Sequence, residues 1–185
     1  MHRALRFSPW FLLCLWALAW AAPQTKVQVE RHGKSVHIEA SLDVPVTPGV
    51  AWQVLTDYNH LADFVEDMRS SRVVSASGEP LKVEQKAEGG WLLIRFPVEV
   101  VLAIEEIPLQ SVRFQSVSGN VKNMKGEWRI TPQGESINLS YSAYCTPDFW
   151  VPPLIGTYLM RNDVRNKVQS VVREMLRRSA APQPN

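Results

Sequence analysis

His60 stands three residues after Asp57 and three before Asp63. On a helix that spacing puts all three on one face, where a ring nitrogen and two carboxylates would suit a metal ion. No other His or Cys has the spacing to complete a ligand set. A polar, solvent-facing connection is the better reading, and neither a metal nor another cofactor is expected. His37 falls on the polar side of an alternating stretch, as a surface histidine does. Ser140, Ser142 and Cys145 are nucleophile types, but none sits in a strand–turn–helix elbow. Cys145 reads as a small buried hydrophobe. Asn138-Leu139-Ser140 matches a glycosylation sequon, in mid-strand. There is no phosphate-binding glycine loop and no paired-cysteine metal motif. No catalytic residue is assigned.

With so little reactive chemistry, the weight moves to apolar faces and the elements that hold them. Residues 34–44 alternate. Val36, Ile38, Ala40, Leu42 and Val44 fall on one side, His37, Glu39, Ser41 and Asp43 on the other, the period of a half-buried strand. Thr47 offers an N-cap and Pro48 a first helical residue, so a short helix runs to about Thr56. A second short helix covers residues 59–65. Strands follow over 71–77, 81–88, 91–107, 112–118, 126–131 and 136–145. In the longest, the even positions from Leu92 to Ile104 are all apolar. Pro97 cannot donate to a ladder, which predicts a bulge or bend there. From Thr157 to Arg178 no Pro or Gly interrupts the chain, and Tyr158, Val168, Val172 and Met175 recur at helical spacing. That gives one helix of about 25 residues, roughly 38 Å long. Each strand has one apolar face, and only this helix is long enough to cover it. The fold class is α+β: about seven antiparallel strands curved around a long C-terminal helix, with two short helices after the first strand.

The N-terminal stretch bears on location and charge. Arg3 and Arg6 precede an uncharged apolar run from Pro9 to Ala22 that closes in small residues, the layout of an export leader. Residues 1–21 are expected to be a signal peptide, 22–33 an N-terminal extension, 34–178 the folded domain and 179–185 a flexible tail. The run is shorter than the about 20 residues of a membrane span; an uncleaved anchor is the alternative. The expected destination is the periplasm of a Gram-negative cell, or otherwise the medium. Cys14 follows Leu12 and Leu13 rather than a small residue, which argues against lipidation. The leader holds two of the 20 Lys and Arg and none of the 18 Asp and Glu, so the remainder is formally neutral. That removes the electrostatic footprint of a nucleic-acid binder. Cys145 is then the only cysteine, so no intrachain disulfide can form.

The order of elements resembles the helix-grip fold of the START-like, or SRPBCC, superfamily. Ala51-Trp52-Gln53-Val54-Leu55-Thr56-Asp57-Tyr58, followed by Leu61-Ala62-Asp63-Phe64-Val65, looks like the first-helix segment of its polyketide cyclase/dehydrase group. Met68-Arg69-Ser70-Ser71-Arg72-Val73-Val74 looks like the second strand, and Gly126-Glu127-Trp128-Arg129-Ile130 like a late one. The run from Pro147 to Leu154 looks like the lead-in to the final helix of exported bacterial members. The resemblance spans residues 34–178. Its relatives include coenzyme Q-binding START-type proteins, lipid carriers and aromatase/cyclases.

What the resemblance implies is a hydrophobic cavity between sheet and helix. The wall candidates on the long strand are Leu92, Ile94, Phe96, Val98, Val100 and Leu102. Phe114, Trp128, Tyr141 and Tyr158 add aromatic surface, with Gln85 and Ser116 as polar groups on otherwise apolar faces. Phe149 and Trp150, flanked by prolines, read as a gate, a membrane-touching edge or a plug that anchors the loop. The expected function is an exported binding protein for an apolar small molecule: a lipid, a quinone or a polyketide-like compound. The alternatives are a cyclase/dehydratase using the same cavity and a closed-core interaction module. An enzyme needs a proton-transfer group inside the cavity, and the inward strand faces carry no Asp, Glu, His or Lys. The partner expected is therefore an apolar ligand, with no nucleic acid, transient membrane contact and a monomeric state.

Overall fold

The computed structural model describes residues 25–91, 94–147 and 156–181. It is α+β, as the sequence predicts. The elements are β1 (Lys26–His32), β2 (Ser35–Val44), α1 (Pro48–Leu55), α2 (Leu61–Phe64), β3 (Met68–Val73) and β4 (Lys82–Trp91). They continue with β5 (Ile94–Ile107), β6 (Ser111–Gly119), β7 (Val121–Gln133), β8 (Ser136–Pro147) and α3 (Gly156–Ala180). The strands form one antiparallel sheet in the order β1-β2-β8-β7-β6-β5-β4-β3. After β2 the chain leaves through α1 and α2, enters the sheet at its far edge and meanders back until β8 lies beside β2.

The sheet has eight strands rather than about seven. The added strand is β1, in the segment read from the sequence as an extension. Only Val27 and Val29 mark its apolar side, too short an alternation to stand out, yet both are buried opposite Ala40 and Ile38 of β2. Boundaries also move, with β3 ending at Val73 rather than 77 and β4 running on to Trp91 rather than 88. β3 begins at Met68 rather than Ser71, and β7 begins at Val121, five residues before the alternation becomes visible.

Pro97 does not bend its strand away from β4. The β4–β5 register runs unshifted from Lys82↔Ala103 to Trp91↔Ile94, with Pro97 opposite Glu88. The missing N–H falls beyond the stretch that pairs with β6, where pairing stops at Val100↔Gly119. There the side chain of Asn120 takes over, donating to the Pro97 carbonyl at 2.7 Å and accepting from the Glu99 N–H at 3.0 Å. Gly119 is required at this turn: its φ is +120°, and a Cβ would lie 2.1 Å from the Glu99 carbonyl oxygen. The bulge sits instead in β6, where Leu102 faces Ser116 but Val101 faces Ser118.

Cross-strand partners share a face, so the register identifies the side of the sheet turned towards α3. On it, Ala40, Tyr141, Trp128 and Val112 form one row across four strands. Thr47 caps α1 by accepting from the Val50 N–H at 3.4 Å, with Pro48 as first helical residue. The core is dense where α1 and the C-terminal half of α3 meet this face. Val44, Ile137 and Leu139 of the strands, Ala51 and Val54 of α1, and Val168 and Met175 of α3 are all essentially sealed from solvent.

Candidate ligand cavity between sheet and helix

The covering of the inner face is uneven. Beyond the sealed region, Trp128 and Tyr141 lie on strands in the middle of the sheet, where full burial would be expected. Both are only half-buried, as are Ile104, Met124 and Val98. The helix accounts for this. Before Val168, none of the described α3 side chains is fully buried; after it, Ser170, Val171, Val172, Glu174 and Met175 all are. The C-terminal half of α3 therefore grips the sheet, and among the described residues its N-terminal half covers the middle of the inner face less closely.

The wall at this opening is aromatic. The rings of Trp128 and Tyr141 are tilted with centroids 4.6 Å apart, and those of Phe114 and Tyr141 are stacked at 6.0 Å. Phe114 lies over Gly126, its cross-strand partner; a Cβ there would come within 2.4 Å of the ring. Glycine at 126 thus sets the ring's position by leaving space beneath it. Val100, Leu102 and Ala143 complete a small buried cluster behind Phe114, joined to the main core through Ile104, Met124, Trp128 and Tyr141.

Of the wall residues expected from the sequence, the structure brings together Val98, Val100, Leu102, Phe114, Trp128 and Tyr141. Ile94 and Phe96 fall in β5, in register with Trp91 and Gly89. Leu92 and the Phe149–Trp150 pair lie outside the described residues. Tyr158 does not join the wall: on the open half of α3, it stands 65% exposed. Ser116 is half-buried, but its hydroxyl accepts the Met124 N–H at 3.0 Å and so serves the β6–β7 connection. Gln85 is half-buried on the inner face, opposite Ser71 and Val100. The Ser71 hydroxyl is buried without a hydrogen-bond partner.

The expectation that the inward strand faces carry no Asp, Glu, His or Lys fails at Glu106, which lies opposite Val112 of the inner row and accepts from the Tyr58 hydroxyl at 2.7 Å, and the helix supplies two further ionisable groups that strand alternation could not reveal. Asp163 and Lys167 of α3, four residues apart, form a half-buried ion pair. Burial, with contributions from Cys145 and Asp163, raises the Tyr141 phenol above its usual range. Burial alone pushes the Cys145 thiol up to about 11, so it is a poor nucleophile at neutral pH. The signal for the helix pair was present in the i, i+4 spacing.

The other polar residues resolve into structural roles. The His60 ring donates to Asp57 at 2.6 Å, while the second Asp57 oxygen accepts from Arg178 at 2.7 Å. On the outer face, Ser142 and Glu39 both approach the Nε2 of His37, at 3.4 and 3.7 Å. With both on one nitrogen, the ring cannot relay a proton from one to the other, as a nucleophile triad requires. That face also carries an open groove of about 780 Å³ along His37, Tyr144, Lys125 and Gln115. Most of its lining belongs to the outer face, while Ile104, Phe114 and Gly126 border it as well. No described helix is long and apolar enough to cross a membrane.

Solved structures with this architecture are numerous, and three span nearly their whole length on this chain. A STAR-related lipid transfer protein from Xanthomonas axonopodis aligns with a TM-score of 0.67 at 14% identity, covering 85% of this chain and 97% of that one. The Zhui aromatase/cyclase from a Streptomyces species aligns at 0.65 and 18%, covering 80% and 97%. A protein from Thermus thermophilus aligns at 0.62 and 19%, covering 78% and 99%. At these identities the likeness shows the fold, START-like helix-grip. No curated protein matches in sequence. Residues 44–172 match the family described as polyketide cyclase / dehydrase and lipid transport, and the chain belongs to that family.

Proposed function

We propose that this protein is an exported carrier that holds one apolar molecule, a lipid, quinone or polyketide-like compound, between the inner sheet face and the N-terminal half of α3. The observation that carries the reading is the incomplete burial of Trp128, Tyr141, Ile104 and Met124 in mid-sheet. Leaving that much aromatic and aliphatic surface wet forgoes about 25 cal/mol per Å², and an apolar guest recovers it. Pockets of this kind, mostly apolar with a few polar groups, are the usual small-molecule sites. The families of the lipid transfer and aromatase/cyclase neighbours support the same class of guest.

Native mass spectrometry of the protein recovered from the exporting cell, with solvent extraction of what it carries, tests this. A stoichiometric apolar adduct is expected. A chain that carries none, and binds none of a fatty acid, quinone and aromatic polyketide panel by tryptophan fluorescence, would leave a closed interaction module as the better account. Export rests on Arg3, Arg6 and the apolar run to Ala22. N-terminal sequencing should begin at Ala22 or Pro23, and an intact Met1 on cytoplasmic protein would sink it.

One observation favours a second reading. Tyr141, with its raised pKa, stays protonated at neutral pH and stands in the wall near Asp163 of the half-buried Asp163–Lys167 pair. A phenol so held is too weak an acid to give up its proton, but it can donate a hydrogen bond that polarises a bound carbonyl, a role a cyclase/dehydratase would use. Tyr141→Phe separates the two: a carrier keeps its affinity within about threefold, about 0.7 kcal/mol, whereas an enzyme loses turnover.

A further inference from the structure

The two edges of the sheet are built differently. β3 is six residues long, its register slips between Met68 and Ser70, and its Val73 N–H is taken by the Asn59 side chain at 2.9 Å. These features blunt an edge against further pairing. β1 has none of them. Its seven residues pair with β2 without a shift, contain no proline, and end the strand order with no further strand beyond them among the described residues, while α3 packs against the strand.

The residues on β1 are also self-complementary. Lys26-Val27-Gln28-Val29-Glu30 reads as a charge palindrome about Gln28. Val27 and Val29 are buried on the inner face, and Lys26, Gln28 and Glu30 are exposed on the outer one. A second β1 added antiparallel, about a two-fold axis perpendicular to the sheet, must oppose inner residues to inner and outer to outer. Centred on Gln28, it sets Val27 against Val29 and Lys26 against Glu30, twice over. Centred on Val29, it would set Lys26 against His32 and Val27 against Arg31. Centring on Gln28 therefore pairs Lys26 with Glu30 and Val27 with Val29, and sets Arg31 against the neutral Thr25. Both groups are available: Lys26 has no ion pair among the described residues, and the ion pair of Glu30 is with exposed His32 at 3.6 Å.

We infer that β1 is the docking edge for a second copy of this chain, joining two sheets through an antiparallel β1–β1 pair centred on Gln28. This departs from the monomer expected of the sequence and is independent of what the cavity binds. Sedimentation of the chain as produced in cells should show a monomer–dimer equilibrium. Lys26→Glu and Glu30→Lys should each weaken the dimer by about tenfold or more, since each places like charges opposite twice. The double variant should restore the association, and an equimolar mixture of the two single variants should form a heterodimer. Matching circular dichroism and melting temperatures would show that the variants are folded. A monomer at all concentrations would overturn the proposal, as would a dimer indifferent to both reversals or a double variant that fails to recover.

Discussion

Arg178, near the end of α3, donates to Asp57, in the turn after α1, at 2.7 Å across 121 residues of sequence. The same guanidinium donates to Glu174 at 2.7 Å and lies 5.7 Å from the centre of the Phe64 ring. The clasp ties the gripping half of the helix to both short helices. Arg178 and Asp57 are each about three-quarters buried, so the pair is stronger than an exposed one, worth about 0–1 kcal/mol. Arg178→Ala should destabilise the fold by about 1–3 kcal/mol, because it also leaves Glu174 and Asp57 short of a donor. A double-mutant cycle with Asp57→Asn should give a coupling of about 1 kcal/mol. Additivity within error would mean that the clasp is ornamental.

Glu174 makes the fold acid-sensitive. Its carboxyl accepts two hydrogen bonds from Arg177 and one from Arg178, all at 2.7 Å. The Arg177 bonds foremost hold its pKa down at about 2 against the opposing effect of burial. A depressed folded-state pKa contributes stability above the unfolded value, near 4.5, that is lost as pH falls towards 2. Urea melts at about pH 5 and about pH 3 should differ more for the wild type than for Glu174→Gln, which has no proton to gain. Equal acid sensitivity in both would remove Glu174 from the account.

Cys145 is buried, with its thiol pushed up to about 11. The thiolate is the reactive form. A disulfide reagent at neutral pH should label Cys145 slowly in the folded protein, at a rate set by opening, and at once in the urea-unfolded chain, with Cys14 of an uncleaved leader distinguished by peptide mapping. If an apolar ligand fills the space beside Tyr141, saturating it should slow labelling further, since opening is then coupled to ligand loss. Immediate labelling at Cys145 of the folded protein would contradict the burial on which this rests.

Much of this architecture is legible in the sequence. The alternation from Val36 to Val44 survives in the structure as an unbroken register against β8, from Val36↔Cys145 to Val44↔Ile137. Thr47-Pro48 marks the helix start it forms. The failures have physical reasons. β1 offers only two apolar positions, so its strand character comes from pairing with β2. Pro97 signals a missing donor, but a sequence does not show which neighbour goes without, and Asn120 fills that place. Asp163 and Lys167 escape notice because strand alternation reports the sheet's inner face and is silent about the helix opposite. Tyr158 shares the periodicity of Val168 and Met175, yet periodicity does not tell which half of a long helix presses on the sheet.

The contrast between the two halves yields the sharpest test. Leu139 is sealed in the closed half, and Ile104 is half-buried in the open one, packed between Phe114 and the core. Leu139→Trp should overpack and cost about 1–3 kcal/mol or more. Ile104→Trp has open space to enter and should change stability by less than about 1 kcal/mol while occupying the volume a ligand needs. Binding of the extracted apolar compound, followed by fluorescence with the added indole accounted for, should then fall at least tenfold, about 1.4 kcal/mol. If both variants are destabilised alike, the inner face is packed throughout and the half-burial of Trp128 and Tyr141 has another origin. If Ile104→Trp is stable and binds as the wild type does, the ligand sits elsewhere, with the outer groove along His37 and Tyr144 as the next surface to probe.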